Sequence, residues 1–304
     1  MTHKSYLQAK LRPFIYELIQ ELITHELTIG REEKNLKKFT SDEIDRYKRH
    51  LVLKEIGGQG QQLIKAARVL VIGAGGLGSP VLLYLAAAGV GCLGIIDDDE
   101  VSRDNLQRQI IHETSQVGIA KVESAKASIQ RLNPHVRVET YAERFNATNA
   151  LHILDKYDII VDGSDNFQTR YLISDACYFA KKPLVFAAVG AFDGYITVFQ
   201  PYKKSEDGTP YPSYRCLFPE PPPEGLVENC AEVGILGAVV GVLGTLQAVE
   251  VLKLITGAGQ TLTGSMLMFD AKEARFEKVK IAWDPENILS GHTPLIRDLT
   301  IHES

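Results

Sequence analysis

The sequence predicts an α/β fold: a doubly wound, mostly parallel sheet with a C-terminal antiparallel hairpin extension and an N-terminal helical appendage. Three observations lead there. Short, largely apolar runs such as RVLVIG (68–73), DIIVDG (158–163) and PLVFAAV (183–189) suit strands covered on both faces. Helix-length segments stand between successive runs, the alternation that a parallel sheet with crossover helices requires. A glycine turn joins the first of these strands to the helix after it.

Residues 1–40 stand apart. After Pro13, the residues Phe14, Ile15, Leu18, Ile19, Leu22 and Ile23 recur in pairs four apart, one apolar face of a helix that a first-turn proline can open. GREEKNLKKFTSDE (30–43) reads as a solvated linker. The appended helix either covers the main domain or docks a partner.

From Arg68 the order is strand RVLVIG, helix LGSPVLLYLAAAG (77–89), strand GCLGIID (91–97) and amphipathic helix GIAKVESAKASIQRLN (118–133). Strand VRVETY (136–141), helix ALHILDKY (150–157) and strand DIIVDG come next. Helix NFQTRYLISDACYFAKK (166–182), strand PLVFAAV and strand GYITVFQ (194–200) complete the series. Residues 201–229, rich in Pro, Gly and charge, predict a long mobile loop. VGILGAVVGVLGTLQAV (233–249) is uncharged, but its length is marginal for a membrane span and it includes glycines, Thr245 and Gln247, so a buried helix is expected. SMLMFDAKEARFEKVKI (265–281) reads as a hairpin. No internal repeat is visible. The expected divisions are 1–40, an N-terminal extension and linker; 41–291, the main domain; and 292–304, a short tail.

Composition narrows the function. Of 304 residues 45% are apolar and 23% charged, the balance of a globular chain with a substantial core. A net charge of −5 gives no reason to expect nucleic acid. Cys92, Cys177, Cys216 and Cys230 form no CxxC pair, and the N-terminus has no secretory pattern; both point to a reducing, cytoplasmic setting.

Gly73, Gly75 and Gly78 make GxGxxG between strand and helix, with Gly76 a fourth glycine. The turn needs positive φ and lets the backbone approach a phosphate at a helix N-terminus, which marks a Rossmann-like nucleotide site. Asp97 ends the second strand where a carboxylate meets ribose hydroxyls, with Asp99 as a nearby polar or metal-linked contact. NLQRQ then supplies Asn105, Arg108 and Gln109, the next helix opens near Lys121, and VDGSDN places Asp165 and Asn166 past another strand. All of these strand ends share the rim where ligands bind in open α/β sheets. Singly, Arg108 or Lys121 would be a surface charge and Asp165 or Asn166 a helix cap. Together they suit a triphosphate: arginine forks and a lysine charge for phosphate oxygens, a carboxylate for Mg²⁺. A nicotinamide hydride transfer calls for none of them.

At these residues the chain resembles the MoeB/ThiF (HesA/MoeB/ThiF) family, bacterial relatives of ubiquitin-activating enzymes that adenylylate the C-terminal glycine of a ubiquitin-like sulfur carrier protein. RYKRH (46–50), GAGGLGS (73–79), DDDEVSRDNLQRQ (97–109), GIAKVESA (118–125), SDN (164–166), YRCLFPEPP (214–222) and NCAEVGILG (229–237) carry the resemblance. It implies ATP held by Gly76 and Asp97, phosphates held by Asn105, Arg108 and Lys121, Mg²⁺ positioned by Asp165, and Asn166 beside the nucleotide. Arg49 matches an arginine that enters the site in trans from the other subunit of a homodimer. The implied partner is a carrier ending in Gly-Gly, in molybdopterin, thiamine or another sulfur pathway. With no rhodanese domain after Gly291, sulfur is expected from a separate sulfurtransferase.

Two departures follow. The family's paired CxxC zinc positions read Ser213-Tyr214-Arg215-Cys216 and Asn287-Ile288-Leu289-Ser290, so structural zinc is expected to be absent, apolar packing is expected to hold the hairpin, and Cys216 is expected to be inert. Cys230 matches a loop cysteine that some members join covalently to the carrier; a small apolar filler is the other reading. Two rival functions stay open: a nicotinamide-dependent oxidoreductase, and a non-catalytic member that binds a ubiquitin-like protein or peptide.

Overall fold

The computed structural model describes residues 39–222 and 234–303. The helix expected after Pro13 and the thiol of Cys230 lie outside the described residues.

Helix α1 (Ser41–Leu51) starts inside the segment expected to be linker. Thr40 caps it: the Glu43 amide donates to Thr40 Oγ1 at 3.2 Å, and the Thr40 amide donates to Glu43 Oε2 at 2.8 Å. This reciprocal pair is encoded by the T-x-x-E of residues 40–43, a signal the charged run around it conceals. The Glu43 carboxylate also pairs with Lys65 at 2.6 Å, tying α1 to α2 (Gly57–Ala66).

Strands β1 (Arg68–Ile72), β2 (Cys92–Ile96) and β3 (Arg137–Tyr141) alternate with helices α3 (Gly78–Ala88) and α4 (Lys121–Leu132). After the short α5 (Ala150–Leu154), β4 (Ile159–Asp162), α6 (Phe167–Ala180), β5 (Leu184–Val189) and β6 (Asp193–Phe199) follow. The last long helix is α8 (Gly237–Thr256), preceded by the single-turn α7 (Tyr214–Leu217) and followed by β7 (Ser265–Asp270) and β8 (Arg275–Lys280). All eight strands form one sheet in the order β3-β2-β1-β4-β5-β6-β7-β8. The first five are parallel and the last three antiparallel, so the expected hairpin continues the main sheet.

Helices cover both faces. Leu82, Leu85, Val122, Ile129, Val240 and Leu243 pack on one, and Ile153, Leu154, Tyr171, Ile173 and Tyr214 on the other. The chain leaves β1 for β2 and β3, then returns across β1 to β4. Ligands bind at such a reversal, outside the carboxyl ends of the strands.

Two expectations change in the last third. Helix α8 begins at Gly237 and runs to Thr256, past the uncharged stretch and through Glu250 and Lys253. It is long and apolar enough to cross a membrane, yet it packs on α3 and the sheet. Its Gln247, wholly buried, donates to the carbonyls of Asp162 (2.8 Å) and Val185 (3.3 Å). The segment expected to be a mobile loop is built over residues 201–222: Lys204 bridges to Pro210, and α7 drives Tyr214 among Tyr171, Phe186, Phe199 and Phe218. A few aromatic anchors outweigh the polar composition around them. The tail closes this side, with Leu299 buried and His302 Nε2 sharing a hydrogen bond of 2.8 Å with Asp175 Oδ2.

Candidate active site

The site begins at the glycine turn. Gly73 adopts φ of 95°, and its amide donates to the carbonyl of Ile96 at 2.8 Å, fixing the turn to β2. A Cβ on Gly78 would stand 2.0 Å from the Gly73 carbonyl oxygen, so only glycine lets α3 start this close to β1. Two side chains fasten the turn from behind. Asp97 Oδ2 accepts from the Ala74 amide at 2.8 Å, and its Oδ1 accepts from the Asp99 amide at 2.9 Å. Burial raises the Asp97 carboxyl above the usual carboxylate range, against the pull of Lys121. His112 is buried, its Nε2 bonded to the Ala74 carbonyl at 2.9 Å and its Nδ1 to Ser124 Oγ at 2.7 Å. Burial lowers its pKa, so the neutral ring donates from Nε2. Sequence reading missed His112; it lies outside every motif and is placed only by tertiary packing.

In front of the turn opens a cavity of about 530 Å³, within the size range of nucleotide and cofactor sites. Gly73, Gly75 and Gly76 form its floor. The wall beyond β2 carries Asp97, Asp99, Arg108, Gln109 and Lys121. Lys121, the first residue of α4 and only 5% exposed, pairs through Nζ with Asp99 Oδ2 at 2.7 Å. Arg108 donates from Nη1 to the Asp104 carbonyl at 3.1 Å, which aims the guanidinium along the rim.

The opposite wall follows β4. Asn166 caps α6, its Oδ1 accepting from the Thr169 amide at 2.9 Å, while it also lines the cavity. Asp165 is exposed there, with no hydrogen-bond or ion-pair partner among the described residues. Of the sequence-predicted residues, Gly73, Gly75, Gly76, Asp97, Asp99, Arg108, Gln109, Lys121, Asp165 and Asn166 come together around this one space. Gly78 sits behind the wall as a packing residue. Asn105 does not line the cavity: it ends a 3₁₀ turn, donates from Nδ2 to Asp104, and Asp104 and Gln107 face the space instead. Arg49 is exposed on α1 and is not among the lining residues. Glu143, Arg144 and Arg170 line it without having been anticipated.

Arg108 and Lys121 beside the amide-rich turn can meet phosphate, and among the carboxylates that line the cavity Asp165, on the opposite wall, has no partner among the described residues. That donor set fits Mg²⁺, which takes one or two carboxylates and fills its shell with water and phosphate oxygens; Asp165 would hold it.

The four positions of the expected zinc pairs also converge, and their chemistry does not fit zinc. Asn287 Nδ2 donates to Cys216 Sγ at 3.1 Å and to Ser213 Oγ at 3.1 Å. The amides of Ser213 and Asp284 also donate to Cys216 Sγ, at 3.4 and 3.5 Å. Asn287 Oδ1 accepts from the amides of Leu289 and Ser290, both at 2.9 Å. One thiol, two hydroxyls and an amide that turns its N–H group inward make a poor set for a metal that takes thiolate or imidazole. The hairpin does carry apolar packing, with Leu267 and Phe269 against the core, but the four positions themselves are joined by polar hydrogen bonds, the Asn287 amide supplying the positive partner that sulfur and oxygen need.

The model of the ThiF family matches residues 47–288. The chain belongs to the ThiF family. Its relatives include a sulfur carrier protein adenylyltransferase of Thermus thermophilus, 47% identical over 268 residues, covering 88% of this ThiF-family chain and 98% of the relative. A probable adenylyltransferase/sulfurtransferase, MoeZ of Mycobacterium tuberculosis, is 46% identical over 262 residues; the match covers 86% of this chain but 64% of that longer protein. Among solved structures, E. coli MccB in complex with MccA-N7isoASN superposes with a TM-score of 0.70 at 22% identity, covering 81% of this chain and 75% of that one. That likeness speaks for the ThiF-family fold.

Proposed function

We propose that the chain adenylylates the C-terminal glycine of a ubiquitin-like sulfur carrier protein, using ATP. The observation that carries the reading is the unpartnered Asp165 carboxylate facing Arg108 and Lys121 across the glycine turn. In the reaction a carboxylate oxygen of the carrier bonds to the α-phosphorus. The bond from that phosphorus to its bridging oxygen breaks, and pyrophosphate leaves with the electron pair. A carboxylate is already a nucleophile, so the absence of a Ser-His or Cys-His pair among the described lining residues is chemically consistent. Rate then comes from positioning and from cations that meet developing phosphate charge.

Asp97 anchors the glycine turn and offers its remaining lone pairs to ribose. Lys121 and Arg108 grip phosphate. Mg²⁺ held by Asp165 would neutralise phosphate charge. Arg49 acts in trans within a homodimer, as its place away from its own chain's cavity suggests. Residues 41–291 are the adenylation domain, the setting is cytoplasmic, and a separate sulfurtransferase supplies sulfur. The Thermus relative, similar over nearly its full length, supports the choice of carrier over small-molecule substrates.

The test is exchange of labelled pyrophosphate into ATP in the presence of a carrier ending in Gly-Gly. Carrier-dependent exchange is expected. Its absence, with nucleotide and carrier both bound, would favour a non-catalytic binding protein.

A further inference from the structure

Arg170 is a nearly buried cation on the cavity wall with no ion-pair partner among the described residues. It lies on the first turn of α6, four residues after the cap Asn166, which puts both on one helix face. It is 8% exposed, and its Nε has no partner. Its hydrogen bond is a long one, Nη2 to the Ser164 carbonyl at 3.4 Å. Among the described residues no carboxylate comes within ion-pair distance. Asp162 is the nearest acidic influence: burial raises its carboxyl while Arg170 pulls it down, but the two form no ion pair. The guanidinium lies over the rings of Phe167 (5.5 Å) and Phe186 (5.9 Å), and the residue lines the cavity.

Burying a charge without a partner is costly, and arginine cannot shed its proton to escape the cost. A planar fork matches a planar carboxylate. Its position selects among anions. Asp97, Arg108 and Lys121 occupy the β2 side of the glycine turn, whereas Arg170 stands on the β4 side over a ring from β5. A nucleotide whose sugar meets Asp97 and whose phosphates cross the turn leaves the Arg170 side for the second substrate.

We propose that Arg170 receives the C-terminal carboxylate of the carrier protein and holds it beside the α-phosphate. The proposal rests on the adenylylation reading above. Two anions must meet for the reaction, and a dedicated cation on the acceptor side lets them do so without drawing on the groups that grip phosphate.

Binding of a carrier ending in Gly-Gly, and of the same carrier with its terminal carboxylate amidated, is measured on the wild type, Arg170→Gln and Arg170→Lys, alongside binding of a non-hydrolysable ATP analogue. The wild type is expected to prefer the free carboxylate by about tenfold or more, the scale of a charge-assisted bidentate contact. Arg170→Gln should lose that preference and keep its nucleotide affinity, and Arg170→Lys should retain part of the preference. A loss of nucleotide affinity with the preference intact would assign Arg170 to phosphate and overturn the proposal. So would an unchanged preference in Arg170→Gln. If Arg170→Gln fails to fold, full retention of the preference together with lowered melting in Arg170→Lys marks a structural residue and also overturns it. Failure of the adenylylation reading looks different: carrier binds with carboxylate preference, yet no pyrophosphate exchanges.

Discussion

Asp165 and Asn166 are neighbours in sequence with separate tasks. Asn166 satisfies an amide at the start of α6, so its replacement by Ala should cost about 1 kcal/mol of stability. Asp165 has no hydrogen-bond or ion-pair partner among the described residues. Asp165→Asn should therefore melt like the wild type while pyrophosphate exchange falls about a hundredfold or more; a matching loss of stability would give Asp165 a structural role. His112 offers a pH readout. Its folded pKa lies below the usual 6.5 because of burial. Between that lowered value and 6.5 the unfolded chain binds the proton and the folded chain does not, so this contribution to stability is present above 6.5 and is lost as pH falls below it. The wild type should lose stability on acidification through that window, and His112→Gln should show a shallower slope there in pH-dependent melting.

At the scale of elements, most of the sheet was legible because strands covered on both faces are written as unbroken apolar runs. RVLVIG and PLVFAAV became β1 and β5 within a residue or two of their expected limits. Helix α2 was not legible: GGQGQQLIKA has three glycines and a weak apolar stripe, and tertiary packing against α1 and α8 overrides its local preference. The segment 201–222 was misread because Tyr214 and Phe218 act through distant rings, which composition does not reveal. The site was legible where residues follow strand ends and illegible where packing alone brings them, as for His112 and Arg170. Counting thiols at positions 213, 216, 287 and 290 pointed away from zinc but did not reveal the hydrogen bonds that Asn287 makes there. Asn287→Ala leaves its partners unsatisfied in a buried setting and should cost about 1–3 kcal/mol. A strong chelator should leave the wild-type melting temperature unmoved; a chelator-induced drop would mean a metal is bound after all.

Over the whole molecule, one topological feature gathers the chemistry. Because the chain crosses back over β1, ends of strands far apart in sequence meet at one rim, and Asp97, Lys121 and Asp165 come to surround a single glycine turn. Helix α8 braces that rim from behind, with Gln247 holding the end of β4 in place. Arg49 belongs to this scale too, since it stands outside its own chain's cavity. If it acts across a homodimer, Arg49→Ala and Asp165→Ala proteins should each be inactive, and their co-expressed mixture should recover activity through mixed dimers with one intact site. No recovery in verified mixed dimers would place Arg49 in its own chain's site or outside the reaction.

The most direct measurement is the mass of the carrier after incubation with this protein, ATP and Mg²⁺. Adenylylation predicts a carrier heavier by one AMP at its terminal glycine, with pyrophosphate released and no product from Asp165→Ala. A carrier left unmodified, or one carrying a phosphate with ADP released, would contradict the account.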